Sequence, residues 1–446
     1  MKIVIAGAGS VGFHLASLLA KEEQDITVID TDEDVLYKIR RKLDVLTITG
    51  DATSPAILDE AEVAKSQLFL AVTTSEKTNL LAAILAKQKG SKKTIARVSN
   101  PEYLKDEQKD AFITMGVDKL MCPQQLAAKE IKRLLKKSPV TDLFEFEGGL
   151  LTILGLTIEE NSKKCGKTVS EIFGTQHELD FRGVAILRDE ETIIPKSHTQ
   201  LLGGDHLYLS INSKYVDTVI ALVGKQVKPI KKVMIVGDTP LALRTTKILE
   251  KEYAVNTLVP DKEVGKKFIQ QLDRALITVA DPGDGDSLIR EGLDNMDAFI
   301  SLTPNSEINI LTSLIAEEHQ VSKTIALVDN EIYTRVSQNI GIDTIINKKI
   351  IAANNIFRFV RKGKIAAIAT LHGVDAEIIE FILHKDNQVT SKPLADLKIP
   401  ASAIVAGVIR DDHCIIPDGT FVCSKMDKII VLALPDAIKK VEELFK

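Results

Sequence analysis

The sequence has no tryptophan, only four cysteines and an aromatic content of 4% in 446 residues. A formal net charge of −5, no large basic block and no Trp leave it without the phosphate-neutralising, base-stacking surface of nucleic-acid binders, so no nucleic-acid partner is expected. Cys122, Cys165, Cys414 and Cys423 have neither metal-ligand spacing nor the regularity of a disulfide framework. They read as ordinary thiols of a reducing compartment, and no metal site is expected. No stretch approaches the roughly 18 uninterrupted apolar residues that a membrane span requires. The opening MKIVIAGAGS reads as a strand, too short in its apolar run for a secretory leader. A hydrophobic fraction of 45% with 27% charged residues is ordinary for a globular chain. The length allows about two to four compact units.

What is present is present twice. KIVIAG near the start returns as KVMIVG at 232–237, and GDATSPAILDEAEVAKSQLFLAVT (50–73) as ADPGDGDSLIREGLDNMDAFISLT (280–303). KTNLLAAILAKQKGSKKTIARVSNPEY (77–103) matches EINILTSLIAEEHQVSKTIALVDNEIY (307–333), and the later segments GVAILRDEETIIP (183–195) and VAGVIRDDHCIIP (405–417) also pair. A two-part unit in tandem accounts for the whole length. In each copy, short β-branched runs (KIVIA, DITVID, DVLTIT, QLFLAV, TIARV) alternate with helical patterns such as VGFHLASLLAKEE. This order predicts α/β architecture, a doubly wound parallel sheet with helices on both faces. Ser54-Pro55 and Asn100-Pro101 read as helix starts. From about Phe144 and again from about Ile365, strands and Gly/Asp turns dominate, which predicts a small α+β module after each sheet. Four parts are expected: 1–140 and 229–363 as Rossmann-like domains, 141–228 and 364–446 as the modules. The linkers are placed near Lys136–Asp142, Arg361–Lys364 and Gly224–Lys231.

The first copy carries a nucleotide cradle. Gly7-Ala8-Gly9-Ser10-Val11-Gly12 lies between a strand and a helix, where Gly7 permits the turn, Gly9 admits a pyrophosphate and Gly12 lets helix and strand approach. The helix start at Ser10–Val11 offers unpaired N–H groups to phosphate. Asp30 ends the second strand, placed to accept ribose hydroxyls and to repel a 2′-phosphate, favouring NAD or adenosine nucleotides over NADP. Asp51, Thr73, Thr74 and Arg97 end the next strands and face the same crevice, since ligands sit beyond the carboxyl ends of parallel strands. Asp51 and Asn79 serve equally well as turn or capping residues. Arg97, an ordinary surface cation elsewhere, becomes a phosphate candidate opposite the cradle. In the second copy Thr239 and Ala242 replace two glycines, Pro260 aligns with Asp30 and Leu327 with Arg97. Gly237, Asp238, Thr239, Pro240, Leu241 and, after a loop shift, Asp261 would form at most an altered second site. The acidic turns Asp189-Glu190-Glu191 and Asp411-Asp412 read as solvated β-turns.

KIVIAGAGSVG, GDATSPAIL and ARVSNPEY, with the duplicated small modules, resemble the TrkA family, peripheral subunits of Trk potassium uptake systems built from two RCK (KTN) units. The resemblance covers all 446 residues. It implies a cytoplasmic ring of RCK lobes, with four chains expected, docked under a membrane potassium subunit of the TrkH/TrkG type. It also implies NAD(H) or ATP/ADP as ligand, with contacts at Gly7 to Val11, Asp30, Thr73, Thr74 and Arg97, and no catalysis. Two alternatives are kept. An oxidoreductase needs a general acid or base, and His14, His177, His198, His206 and His413 show no recognisable acid partner. A free-standing redox sensor that reads DNA needs a basic helix, for which KEIKRLLKK (129–137) is the candidate, although its charges read as a solvated helix face.

Overall fold

The computed structural model describes the chain apart from residues 21–23, 138, 174–179, 190, 226–227, 330–332, 334–341, 343, 361–364, 371–375, 386–387 and 446, and apart from the side chains of 357–360 and 365–370. The linker expected at 361–364, His177 and Glu190 of the first acidic turn lie outside the described residues. The chain divides into two compact units, one of residues 1–127 with 348–360, the other of 128–347 with 361–446.

The first unit is built on six parallel strands: β1 (Lys2–Ala6), β2 (Asp25–Asp30), β3 (Leu46–Thr49), β4 (Leu68–Ala71), β5 (Thr94–Arg97) and β6 (Lys119–Met121). Their order, β3-β2-β1-β4-β5-β6, reverses direction between β1 and β4, which is the doubly wound arrangement. Five of these strands were legible in the sequence; the sixth, KLM, is too short to announce itself. Helices α1 (Ser10–Ala20), α2 (Glu33–Arg40), α3 (Pro55–Glu60), α4 (Glu76–Lys89) and α5 (Asp106–Thr114) connect them, and α6 (Pro123–Leu135) follows. The strand period of two sorts β1 between two cores. Ile3 and Ile5 join Leu15, Ala16 and Leu19 of α1, while Val4 and Ala6 join Phe69, Ala82 and Ala86. The α1 face is completed from far along the chain. The helix Lys348–Val360 contributes Ala352, Ala353 and Ile356 to the core beside α1, and the Lys119 ammonium donates to the Asn355 carbonyl at 3.2 Å.

The second unit repeats the parallel sheet. After β7 (Asp142–Phe146), β8 (Leu151–Thr157), α7 (Val169–Phe173), β9 (Phe181–Arg188), β10 (Glu191–Ile193), β11 (His206–Asn212) and α8 (Val216–Leu222) come β12 (Lys232–Val236), α9 (Pro240–Leu249), β13 (Ala254–Val259), α10 (Lys262–Ile269), β14 (Leu276–Val279), α11 (Gly285–Arg290), β15 (Ala298–Ser301), α12 (Ser306–Glu318), β16 (Lys323–Leu327) and β17 (Ile345–Ile346). The order β14-β13-β12-β15-β16-β17 reproduces the first sheet. The modules are antiparallel sheets, β10-β9-β11-β8-β7 and a second made of β18 (Ile365–Thr370), β19 (Glu377–Ile382), β20 (Ala403–Arg410), β21 (His413–Ile415) and β22 (Lys428–Ala433). They share one core, in which Phe144, Leu151 and Tyr208 of the first meet Ile378, Ala406 and Ile430 of the second. Arg182, donating to the Val405 and Pro417 carbonyls, and the ion pair Lys428–Glu147 tie the same two sheets together.

Candidate nucleotide cradle

The turn after β1 is shaped by two of its three glycines. Gly7 has φ +110°, a left-handed conformation costly for a side chain, and a Cβ there would stand 2.7 Å from the Thr73 amide nitrogen. A Cβ on Gly12 would stand 1.8 Å from the Gly7 carbonyl oxygen, so α1 can pack this closely on the turn only without one. Gly9 differs. Its Cβ would meet nothing within 4 Å, so no protein contact demands glycine there. Open space beside a glycine at the start of a helix is what close approach of a phosphorylated ligand requires. The first bond of the helix is Phe13 N to Gly9 O at 2.8 Å. The N–H groups of Ser10, Val11 and Gly12 therefore precede the helical ladder, and Gly9, which stands at the capping position, has no side chain to offer them. An anion would satisfy them. The residues present fit the phosphate groups of a nucleotide.

Asp30 sits at the mouth of this turn. Its Oδ2 accepts from Ala8 N at 2.6 Å and its Oδ1 from Asp32 N at 3.0 Å, so the carboxylate braces the loop and keeps further lone pairs for a ribose. Ala8 itself is buried and its N–H is spent on Asp30. Asp51 is exposed and folded into a turn, its Oδ1 accepting the Thr53 backbone N–H and hydroxyl, both at 2.8 Å. Those two bonds, the backbone one foremost, hold its carboxyl below the ordinary value.

Beyond β4 the loop is fastened by a side chain. Asn79 is buried; its Oδ1 accepts from Thr73 N at 2.8 Å and from the Thr73 hydroxyl at 2.7 Å, while its amide donates to Thr73 O at 3.1 Å and Arg97 O at 2.9 Å. Asn79, open between turn and contact roles in the sequence, is thus a latch joining the ends of β4 and β5. Thr73 is held by it, and the exposed Thr74 takes no part in it. Arg97 is half-buried at the end of β5. Burial pulls its guanidinium below the usual value. No carboxylate pairs with it among the described residues. A partly desolvated cation without a counter-ion, at the carboxyl edge of the sheet, is a site for an anion.

The second sheet serves as an internal control. Its latch is intact: Asn309 accepts from Thr303 N at 2.9 Å and from its hydroxyl at 2.7 Å, and donates to Thr303 O at 3.0 Å and Leu327 O at 2.8 Å. Gly237 keeps the tight turn, with φ +132° and a Cβ position 2.6 Å from the Leu302 carbonyl. The cradle itself has changed. Thr239 caps α9, accepting from Ala242 N at 3.1 Å and donating to Leu302 O at 2.8 Å, and Pro240 follows without an N–H. Asp238 is exposed and Leu241 buried. The register corrects the expected alignment. Ala6 lies opposite Ile29 but Val236 opposite Leu258, so the second copy is one residue shorter here. Val259, not Pro260, occupies the place of Asp30, as the matching bonds Gly50 N to Asp30 O and Ala280 N to Val259 O show. Asp261 corresponds to Asp32, and both cap the following helix through two backbone N–H groups.

One further expectation changes. His206 does have an acid partner, Asp142 at 3.2 Å, and His319, which the sequence did not single out, has Asp294 at 2.6 Å, both pairs within the second unit. The strand pairing that brings Asp142 to His206 has no local signal. Several charges of KEIKRLLKK are ion-paired at the surface, and Lys129 is exposed as expected of a solvated face. Lys132 pairs with Glu252 at 2.5 Å, Arg133 with Glu130 at 2.6 Å and Lys137 with Asp217. Among the described residues no group of three metal-ligating side chains occurs, and no helix is long and apolar enough to cross a membrane.

Comparison with known proteins agrees with this architecture. The TrkA-N domain model matches residues 3–123 and 233–348, and the TrkA-C domain model residues 153–224 and 378–446. The Trk system potassium uptake protein TrkA homolog of Archaeoglobus fulgidus is 31% identical, with both chains covered in full. The Trk system potassium uptake protein TrkA of Halomonas elongata is 28% identical over all of this chain and 99% of its own. Among solved structures, the GsuK channel bound to NAD superposes with a TM-score of 0.60 at 16% identity, covering all of this chain and 78% of the channel. With two TrkA-N and two TrkA-C matches and a full-length relative at 31% identity, the chain belongs to the TrkA family.

Proposed function

We propose that this chain is a regulatory subunit of a potassium uptake system that binds an adenosine nucleotide, NAD(H) or ATP/ADP, in the first cradle. The observation that carries the reading is that one sheet edge holds both the helix start behind Gly9, with open space and no capping side chain at Gly9, and a half-buried Arg97 without a carboxylate among the described residues. When bound, the nucleotide supplies negative charge and a ribose. Ser10, Val11 and Gly12 would hold phosphate through backbone N–H groups, Arg97 would neutralise it, and Asp30 would accept from the ribose. The names of the full-length relatives support potassium uptake as the process served.

In this reading the four parts 1–140, 141–228, 229–363 and 364–446 are two RCK units. The chain assembles into a ring, expected to hold four copies, at the cytoplasmic face of a membrane potassium subunit of the TrkH/TrkG type. A ligand shifts such an assembly only by binding one arrangement better than another. About 1–3 kcal/mol per site is the usual coupling, and it adds over a ring. The names of the full-length relatives, potassium uptake proteins, favour regulation over catalysis. The ion pairs on α6 likewise oppose a DNA-reading role. Calorimetry with NAD, NADH, ADP and ATP on wild type and Asp30→Ala tests the reading, together with potassium flux through a reconstituted membrane partner. Binding that is lost in Asp30→Ala, with flux that depends on the nucleotide, supports it. Identical flux with every nucleotide and with none would falsify the regulatory part.

A further inference from the structure

We infer that Thr239 closes the second cradle from within, so that each chain takes one phosphorylated ligand, in the first cradle alone. The inference rests on the nucleotide reading of that first cradle. Four changes converge at the second. The Thr239 hydroxyl both accepts from Ala242 N at 3.1 Å and donates to Leu302 O at 2.8 Å, so it fills the position an anion takes at a helix start and its one proton is already committed. Pro240 stands at the first helical position and has no N–H, where Ser10 offers one. Val259, 0% exposed, replaces the ribose-accepting Asp30, and Leu327, 2% exposed, replaces the cation Arg97. The latch of Asn309 and Thr303 and the tight turn at Gly237 remain, so the fold of the lobe is kept while these four features of an anion site are changed. Damage at random would spoil the turn as readily as the cradle. Here the hydroxyl of Thr239 caps the helix that the first copy leaves open.

The test is a stoichiometry on the full chain with ADP and with NAD, by calorimetry and native mass spectrometry. One equivalent per chain is the expected result. Gly9→Thr places the same self-capping hydroxyl in the first cradle; it should abolish binding while the melting temperature of the unliganded protein holds or rises. Should Gly9→Thr not fold, Asp30→Ala is the second route, and it too should leave no bound nucleotide. Two equivalents in wild type would overturn the inference and leave nucleotide binding standing, as would one equivalent surviving in a folded Gly9→Thr or Asp30→Ala chain. No binding at all in wild type would overturn the nucleotide reading and this stoichiometry together.

Discussion

Arg97 is a cation that no carboxylate among the described residues pairs with, and its removal separates ligand binding from folding. A charge-assisted hydrogen bond contributes about 1.5–3 kcal/mol, so Arg97→Ala should weaken ADP binding roughly 10- to 150-fold. The unliganded melting temperature should not fall, because no partner loses a bond; a clear drop in calorimetry would mark Arg97 as structural instead. The cysteines behave oppositely. Burial pushes the Cys414 and Cys423 thiols up to about 12. Their folded values are raised, so the stabilisation they give is complete below the unfolded value of about 8.5 and is lost as pH rises towards 12. At about pH 9, native protein treated with iodoacetamide should be labelled at the half-exposed Cys165 long before either, as peptide mass spectrometry will show.

At the scale of elements the duplicated latch sorts structure from function. Asn79→Ala leaves two carbonyls and an N–H unpaired at the sheet edge, and buried groups of this kind cost about 1–3 kcal/mol each. Denaturant melts should show a loss of several kcal/mol for Asn79→Ala and a similar loss for Asn309→Ala. Only the Asn79 variant should also reduce nucleotide affinity. Equal affinity in both variants would mean that the end of β4 does not shape the ligand site. The sequence displayed both asparagines at matching repeat positions, yet the glycines drew attention because their spacing is a local pattern. The latch is not local. Its meaning depends on carbonyls delivered by two different strands.

For the molecule as a whole, the helix Lys348–Val360 follows the second sheet in the chain and packs on the first. Ile356 is 1% exposed in that core, so Ile356→Ala should cost about 2–5 kcal/mol. Hydrogen exchange locates the loss. Protection should fall in α1, β1 and β2 and not in β12 and β13, and the reverse pattern would show that the helix serves the second sheet.

What the sequence determined by itself is whatever rests on spacing along the chain. It determined the tandem repeat, five strands of the first sheet and the order of alternation. It also determined the strand–glycine–helix cradle with Asp30 behind it, and the loss of two glycines in the second copy. Those features are written in residues a few positions apart, where periods of two and 3.6 and the needs of a tight turn act directly. Tertiary structure decided which of two near-identical sheets receives the helix Lys348–Val360, that Val259 rather than Pro260 stands for Asp30, that Thr239 finds a carbonyl to close its cradle, and that Arg97 finds no carboxylate among the described residues. Each depends on complementarity between segments far apart in the chain. A duplicated sequence offers two similar faces for every element, and only packing chooses between them.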